Sequence, residues 1–295
     1  MTAAAPRENP TGWQATGEFA FTRDDFSVIA RTLYDEAGIH LPTSKATLVY
    51  SRIAKRLRAL GLESFRDYCA LIGAEGGAGE RAAMIAALTT NVTRFFREPH
   101  HFTHLKASVL PPLLRQARDG RRLRIWSAGC SSGPEPYSIA LTILQLMPDA
   151  RSFDIRILAT DINPNVLQVA RDGVYTSAEV DDIPADLRRT WMEPWEQGGP
   201  HLVFDKAVRG LVSFRELNLM AEWPMRGPFD AIFCRNVVIY FDENTQMRIW
   251  NRMLPLLHSG GYLYIGHSER VSGPAVTSLQ LQSTTTYRKV IGRTS

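Results

Sequence analysis

The second half of the chain alternates short apolar segments with amphipathic ones, and this alternation constrains the fold more than any other feature. From about residue 121, LRIWSA is followed by the helical pattern YSIALTILQLM, and DIRILATD is followed by NPNVLQVARDG. Strands that alternate with helices predict a mostly parallel sheet that is covered on both faces. In such sheets, ligands bind beyond the carboxyl ends of the strands. We therefore expect an α/β fold with a ligand site at that edge.

Later segments continue the alternation. We predict strands for LVSFRELNL, FDAIFCRN and GGYLYIGHS, a helix for NTQMRIWNRMLPLL, and one last strand for LQLQSTTTYRKVI. From residue 174 the alternation breaks, and HLVFDKAVRGLVSF has the pattern of a hairpin. We expect a small antiparallel subdomain inserted at this point, with a long active-site loop as the alternative.

The first third of the chain has helical patterns instead. Thr22 and Asp25 stand at capping-box spacing before the first helix, and Gly38 suits its end. Ser64 and Asp67 repeat that spacing before the third helix. An all-helical domain is therefore predicted.

These patterns divide the chain into four parts. They are a disordered tail (1–18), a helical domain (19–95), a connecting helix or linker (96–120) and an α/β domain (121–295) with the insertion at about 174–212. The three cysteines match no disulfide or metal pattern, which suggests a reducing compartment. No apolar stretch reaches the roughly 18 residues that span a bilayer, and the start lacks the apolar core of a secretory signal. We expect a cytoplasmic protein without membrane insertion.

The turn after the first predicted strand, GCSSGPEP, indicates the class of ligand. Gly129 and Gly133 have G-x-x-x-G spacing, without the G-x-G-x-x-G of dinucleotide folds or the G-K-[ST] of a P-loop. The absence of a phosphate cradle argues against NAD and nucleoside triphosphates. A glycine turn of this kind suits a nucleoside without phosphate, such as S-adenosylmethionine.

Two carboxylates flank this turn. Asp161 ends the second strand, where an acidic residue can accept hydrogen bonds from two ribose hydroxyls. The alternative for Asp161 is to cap the helix that follows. Glu135 lies at the start of a helix, where the helix dipole favours its charge; it could also bind the amino group of a methionine-like ligand.

The segment FDAIFCRNVVIYF places a cation and an amide inside an apolar run. If FDAIF is a buried strand, Arg235 and Asn236 lie at its carboxyl end and face the ligand crevice. The alternative for Asn236 is a hydrogen bond within a local turn.

Six blocks of sequence together resemble the chemotaxis receptor methyltransferases, the CheR family. In chain order they are TNVTRFFRE, SAGCSSGPEPYSIA, ATDIN, FRELNL, FDAIFCRNVVIYFD and GYLYIGHSE, and the resemblance covers about residues 20–290. It implies a Rossmann-like S-adenosylmethionine-dependent methyltransferase domain, an all-helical N-terminal domain and a small inserted antiparallel β-subdomain. It also implies methylation of glutamate side chains on chemoreceptor cytoplasmic helices, which gives glutamyl methyl esters and S-adenosylhomocysteine and serves sensory adaptation.

The resemblance implies roles for individual residues as well. The matching positions are Asn91, Thr93 and Arg97 at the cofactor and transfer site, Glu135 at the methionine amino group, Asp161 at the ribose, Asn218 and Leu219 beside the adenine, Asn236 and Val237 at the cofactor, and Tyr240 beside the methyl group. One departure is that Pro134 stands where the family often has an acidic residue.

The implied acceptor sets the chemistry that these residues must supply. A glutamate carboxylate, with a reference pKa of about 4.3, is ionised at neutral pH and needs no strong general base. Alignment of the reacting groups should therefore dominate. We expect Arg97 to hold the acceptor carboxylate and Tyr240 to orient it while its ring faces the sulfonium. The alternative for Arg97 is a surface arginine at a helix start, and Phe95 and Phe96 are expected in the core.

Two further patterns concern partners and metals. Lys45, Arg52 and Arg56 recur at i, i+7 and i+11 and predict a basic stripe on the second helix. The stripe is either a solvated face or a docking surface for acidic receptor helices. His100 and His104 have the i, i+4 spacing of zinc ligands, but no third ligand accompanies them, so we expect no metal.

Two other functions stay open at this stage. One is methylation of another substrate such as nucleic acid, although the N-P-P-Y type motif is missing. The other is a non-catalytic regulator that binds S-adenosylmethionine. We expect chemoreceptor cytoplasmic domains as partners, no nucleic acid, and a monomer. The sequence leaves open whether a receptor C-terminal tail docks on the β-subdomain.

Overall fold

The computed structural model describes residues 17–196 and 199–290, and the chain forms two compact units that divide between Thr89 and Thr90. The predicted tail lies outside the described residues except for Gly17 and Glu18. Residues 90–120 belong to the second unit. None of the helices in the described ranges combines the length and the apolar character that a membrane span requires.

The described part of the first unit contains four α-helices. They are α1 (Arg23–Ala37), α2 (Ala46–Leu60), α3 (Phe65–Gly73) and α4 (Ala78–Leu88). The predicted capping box precedes α1, because Thr22 and Asp25 each accept the other's backbone N–H through their side chains. Ser64 caps α3, and Gly38 ends α1 in the left-handed conformation. These local predictions are confirmed.

Two members of the predicted basic stripe have partners inside this unit. Arg52 Nη1 donates to the carbonyls of residues 87–89, at 3.1, 2.8 and 2.7 Å, where α4 ends. The last carbonyls of a helix have no intrahelical donor, so this side chain satisfies them. Arg56 forms a two-pronged pair with Glu80, at 2.9 and 2.6 Å. Lys45 is exposed and lies in the short 3₁₀ turn before α2 instead of on the helix itself.

The second unit is built on a large mixed sheet. Its strands are β1 (Leu123–Ala128), β2 (Ile155–Asp161), β6 (Val212–Glu216), β7 (Phe229–Cys234), β8 (Leu257–Ile265), β9 (Leu279–Ser283) and β10 (Thr286–Lys289). Their order is β6-β2-β1-β7-β8-β10-β9. Neighbours from β6 to β8 are parallel, whereas β10 is antiparallel to β8 and β9 to β10. The prediction of a single last strand is therefore wrong, because the chain turns at 284–285, where Thr285 has a φ of +52°.

A second, smaller sheet interrupts the large one. It contains β3 (Val174–Thr176), β4 (Met192–Pro194) and β5 (His201–Phe204), all antiparallel in the order β3-β5-β4, with α9 (Ala185–Trp191) before β4. The predicted inserted antiparallel subdomain is confirmed. The predicted hairpin is wrong, because α10 (Lys206–Arg209) follows β5, and β6 then pairs with β2 in the large sheet.

Helices cover both faces of the large sheet. They include α5 (Pro99–His104), α6 (Leu110–Arg118), α7 (Pro134–Leu146), α8 (Pro164–Asp172) and α11 (Glu243–Leu256), and a π-helical turn at Leu105–Val109 joins α5 to α6. Neighbouring residues on one strand enter different cores. Ile125 packs in the first core and Trp126 in the second, as expected for a parallel sheet buried on both sides.

Gly129 provides a test of how closely the turn after β1 must approach its neighbour. Its φ is +76°, and a Cβ at this position would lie 2.3 Å from Val237 Cγ2. Gly120 is a matched control, because its φ is +87° but nothing lies within 4 Å of the added Cβ. We expect Gly120→Ala to cost about 1 kcal/mol for the left-handed backbone, and Gly129→Ala to cost about 1–3 kcal/mol more for the clash.

The measurement is urea unfolding of both variants beside the wild type. Equal losses of stability in the two variants would mean that Val237 moves aside freely, and the close approach would then be unimportant.

Candidate active site

The turn between β1 and α7 is fixed against the end of β2. The N–H groups of Gly129 and Cys130 both donate to the carbonyl of Thr160, at 2.8 and 2.9 Å. The N–H of Ser131 donates to Asp161 Oδ2 at 2.8 Å. The turn therefore closes over the carboxyl ends of two adjacent strands.

Asp161 is 8% exposed at the end of β2. Its Oδ1 accepts the N–H of Asn163 at 3.0 Å. The helix α8 is capped by Asn163, whose side chain accepts the N–H of Asn165, so Asp161 is not the cap. Burial raises the pKa of Asp161, and the backbone donors oppose that rise. Each carboxylate oxygen can accept a further hydrogen bond, so a ligand hydroxyl can still bind here.

The cation in the apolar run is buried. The Arg235 side chain is 2% exposed at the end of β7, and its Nη1 donates to Glu135 Oε2 at 3.0 Å. Its Nη2 lies 3.3 Å from Glu98 Oε2 and donates to the carbonyl of Arg97. The guanidinium also lies 5.7 Å from the ring centroid of Phe102. Arg235 therefore joins the start of α7 to the segment before α5, instead of facing the crevice as a free cation.

Glu135 occupies the first turn of α7 with a nearly buried side chain. Its Oε1 accepts the hydroxyl of Ser127 at 2.7 Å, so both oxygens already have a donor. Burial raises the pKa of Glu135, and the charge of Arg235 and the Ser127 hydrogen bond oppose the rise.

Glu98 is the second carboxylate beside Arg235. Its Oε1 lies 3.1 Å from Nδ1 of His267. Burial alone would raise the pKa of Glu98, but Arg235 and the hydrogen bonds from His267 outweigh it and lower the pKa to about 2. Glu98 is therefore ionised at neutral pH and balances the buried cation.

His104, the second histidine of the i, i+4 pair, is not part of the group of possible metal ligands near this carboxylate. His104 Nδ1 hydrogen-bonds the hydroxyl of Tyr264 at 2.9 Å. The possible ligand atoms of Glu98, His100 and His101 lie within 4.8 Å of one another. Because Arg235 already lies against the same carboxylate, the cluster has its own cation and we assign no metal to it.

Backbone strain concentrates around these groups. Among the described residues, the non-glycine positions with positive φ are Phe96, Glu98, Ser131, Asn236 and Thr285. Two of them flank Arg97, one lies in the glycine turn, and one follows Arg235. Thr285 contacts the same region through its hydroxyl, 2.8 Å from His101 Nε2. Strained backbone persists where surrounding contacts hold it, and it clusters at functional sites.

Two further loops carry residues that are predicted to contact the cofactor. Asn236 and Val237 follow β7, and the Val237 side chain packs on Gly129. After β6, Asn218 Oδ1 accepts the N–H of Met220 at 2.8 Å, which fixes a tight turn beside the buried Leu219. Both loops extend from carboxyl ends of parallel strands, where ligands bind in this fold class.

The predicted transfer residues are half-buried and have few partners. The Arg97 guanidinium donates to the carbonyl of Val92 at 3.2 Å and has no carboxylate partner among the described residues. The Tyr240 hydroxyl has no hydrogen-bond partner within the same ranges. Asn91 joins the site through its carbonyl, which accepts the hydroxyl of Ser131 at 2.8 Å. Thr93 lies between Asn91 and Arg97 on this segment and is half-buried.

Sequence reasoning missed three residues whose contacts hold the loops of the candidate site. Ser131 and Glu98 gave no signal, since each depends on left-handed backbone that residue type does not predict. Glu269 did give a signal that was overlooked: an acidic residue closes the block GYLYIGHSE just beyond a predicted strand. Its carboxylate accepts the N–H groups of Val237 and Val238, at 2.8 and 2.9 Å.

Comparison with known proteins agrees with this architecture. Residues 91–288 match the family described as "CheR methyltransferase, SAM binding domain", and residues 24–89 match "CheR methyltransferase, all-alpha domain". A "Probable chemotaxis protein methyltransferase" of Rhizobium etli is 54% identical over 88% of this chain and 99% of its own length. "Chemotaxis protein methyltransferase 2" of Pseudomonas aeruginosa is 44% identical over 90% and 92% of the two chains, and the Escherichia coli "Chemotaxis protein methyltransferase" is 41% identical over 88% of each.

The matched domain makes S-adenosylmethionine the cofactor. With a helical first unit, a mixed seven-stranded sheet and a small inserted sheet in the described residues, this chain belongs to the CheR family of S-adenosylmethionine-dependent methyltransferases.

Proposed function

We propose that this chain transfers a methyl group from S-adenosylmethionine to glutamate side chains of chemoreceptor cytoplasmic helices, forming glutamyl methyl esters. The names of the relatives support a chemotaxis methyltransferase. The observation that carries the choice of acceptor is the Arg97 guanidinium, which is half-buried and has no carboxylate partner among the described residues. A substrate carboxylate would supply that partner through a charge-assisted hydrogen bond to one of its oxygens.

The charges around Arg235 fit the cofactor's methionine end. Glu98 and Glu135 together carry two negative charges when ionised, and Arg235 balances one of them. One negative charge is left in a nearly buried position, which favours a ligand cation. We therefore assign the methionine ammonium to Glu135 and the ribose hydroxyls to Asp161. Asn218 and Leu219 are proposed to lie beside the adenine, Asn236 and Val237 to contact the cofactor, and Asn91, Thr93 and Arg97 to close over it.

Methyl transfer to a carboxylate depends on orientation of the reacting groups more than on proton transfer. When bound, S-adenosylmethionine supplies an electrophilic methyl group on a sulfonium. A glutamate acceptor is already ionised at neutral pH, so no side chain has to remove a proton. Arg97 holds one carboxylate oxygen and leaves the other free to react, while the Tyr240 hydroxyl fixes the plane of the carboxylate. Such positioning is a large source of rate enhancement.

The decisive experiment follows labelled methyl from S-adenosylmethionine into membranes that contain chemoreceptors. Esters of glutamate lose the label in mild alkali, whereas N-methyl groups and methylated bases keep it. Alkali-labile label on the receptor band supports the proposal. Alkali-stable label would indicate a different acceptor, and cofactor binding without transfer to any receptor would favour a regulatory protein.

Arg97 should affect mainly methyl transfer, and Asp161 should affect mainly cofactor binding. We expect Arg97→Ala to lower methyl transfer by about 10- to 100-fold, because a hydrogen bond between charged groups contributes roughly 1.5–3 kcal/mol, while cofactor affinity changes little. Asp161→Asn keeps one acceptor oxygen but should weaken cofactor binding instead. Calorimetric titration with S-adenosylhomocysteine and initial rates separate the two effects.

Arg94→Ala is the matched control, because Arg94 lies on the same segment but is exposed and pairs with Asp182. Equal losses of cofactor affinity in the Arg97 and Asp161 variants would refute the division of roles.

Glu135 should make cofactor binding sensitive to acid. Glu135→Gln keeps the size of the side chain but removes its charge, so we expect roughly tenfold weaker binding of S-adenosylhomocysteine. Burial raises the pKa of Glu135, so its charge is present above that pKa and is lost as the pH falls through it. Wild-type affinity should therefore decrease on acidification, and the variant should respond less.

Glu243→Gln is the control, since Glu243 is an exposed glutamate in the first turn of α11. If Glu135→Gln kept both the wild-type affinity and the wild-type pH response, the amino-group assignment would be wrong.

The basic stripe remains our proposal for docking acidic receptor helices, with Lys45 as its clearest test. Arg52 already hydrogen-bonds the carbonyls at the end of α4, and Arg56 pairs with Glu80. Their removal would lower stability as well as change any docking, so the two effects could not be separated. The small sheet is proposed as the place for a receptor C-terminal tail, because its edge strands can pair with an extended peptide. A monomeric state stays a prediction.

Lys45→Glu should raise the KM for receptor by about threefold at low ionic strength, because a surface charge contributes roughly 0.2–1 kcal/mol. Salt should shrink the difference, and cofactor affinity should not change. Arg52→Lys is the control that retains charge: it should lower the stability of the first unit without changing the salt dependence. An unchanged KM for receptor in Lys45→Glu at low salt would exclude docking through this residue.

A further inference from the structure

Glu269 is a buried carboxylate that no cation balances among the described residues. It is 4% exposed and lies four residues beyond the end of β8, at the carboxyl edge of the sheet. Its Oε2 accepts the N–H groups of Asn236 and Gly266, at 2.9 and 2.6 Å. Its Oε1 accepts the N–H groups of Val237 and Val238. Both oxygens are thus fully engaged by the backbone.

Three of these donors are successive residues after β7. Consecutive N–H groups point to one side only when the chain folds into a concave turn, and Asn236 provides that turn with a φ of +59°. Left-handed backbone is uncommon for residues other than glycine, and asparagine tolerates it better than most. The carboxylate of Glu269 supplies the hydrogen bonds that make this conformation stable. Burial raises the pKa of Glu269, and the four backbone donors oppose the rise.

The turn that Glu269 holds has a defined place in the site. Arg235 precedes it and binds Glu135, whereas Val237 packs against Gly129. Gly266 leaves room on the other side, since a Cβ there would lie 2.5 Å from Asn236 Nδ2. A shift of the turn would therefore displace contacts at both ends of the proposed cofactor site.

We infer that Glu269 is a positioning residue for cofactor binding, which acts by fixing the backbone of Asn236 and Val237. The inference rests on the proposed role of those two residues as cofactor contacts. It assigns to Glu269 no contact with the reacting atoms and no proton transfer.

Glu269→Gln tests this directly. Glutamine has the same size, but one oxygen becomes an NH₂ group, which cannot accept from backbone N–H groups. Two of the four hydrogen bonds are lost, because two backbone N–H groups then face the side-chain NH₂, which is also a donor. We expect S-adenosylhomocysteine to bind about tenfold more weakly, as measured by calorimetry at a temperature where circular dichroism shows the variant to be folded.

Asp230→Asn is the matched control. Asp230 lies near the start of β7, the strand that leads into the turn held by Glu269, and its carboxylate accepts the N–H of Arg124 at 2.8 Å. This substitution should lower the melting temperature without weakening S-adenosylhomocysteine binding. Glu269→Asp is the second variant, in case Glu269→Gln does not fold: the charge stays, but the shorter side chain cannot reach all four donors, so affinity should be intermediate.

Wild-type affinity in a folded Glu269→Gln or Glu269→Asp protein would overturn the inference. Weakened binding in Asp230→Asn equal to that in Glu269→Gln would overturn it as well, because general loss of stability would then explain both. The readout is independent of the receptor. A wild-type protein that binds S-adenosylhomocysteine but methylates no receptor would contradict the proposed acceptor and leave the test of Glu269 intact.

Discussion

The ion pairs of Arg235 are the contacts on which the rest of the site depends. A cation whose side chain is 2% exposed requires its partners, and here they come from two elements far apart in sequence, Glu98 and Glu135. Such a buried group contributes little net stability, but removing one partner leaves an uncompensated charge and is strongly unfavourable. The strand β7, the helix α7 and the segment before α5 are therefore held in one arrangement. That arrangement determines where Arg97 lies, because its carbonyl accepts from Arg235.

The loops of the candidate site contain residues with strained backbone, and specific contacts hold each of these residues in place. Phe96 and Glu98 have positive φ on either side of Arg97, and Asn236 has it in the turn after β7. Each strained residue is held by a specific contact: the N–H of Phe96 donates to the hydroxyl of Ser138, Glu98 binds Arg235, and the N–H of Asn236 donates to Glu269. Strain of this kind persists only where the surroundings over-determine it, so these contacts hold the three loops in defined conformations.

Local rules could be read from the sequence, whereas pairing across long separations could not. The capping box at Thr22 and the strand-to-helix alternation follow from neighbours in the chain, and both are confirmed. The hairpin after β5 was wrong because the pattern of β6 fits an antiparallel partner or a parallel one equally well, and tertiary packing beside β2 decides. Among the site residues, the burial of Arg235 could not be foreseen, since its two carboxylate partners lie about 100 or more positions away.

The balance of charge at the carboxyl edge also supports the role that we propose for Arg97. Four carboxylates lie there, those of Glu98, Glu135, Asp161 and Glu269. In the part of the chain that the structure describes, Arg235 is the one buried lysine or arginine beside them. This excess of negative charge suits a cationic cofactor but opposes the approach of an anionic acceptor. A glutamate side chain therefore needs a cation of its own, and Arg97 is half-buried without a carboxylate partner in the described residues. In the reaction that we propose, esterification would remove the charge of the acceptor. The product would then lose the attraction of Arg97 and bind more weakly than the substrate.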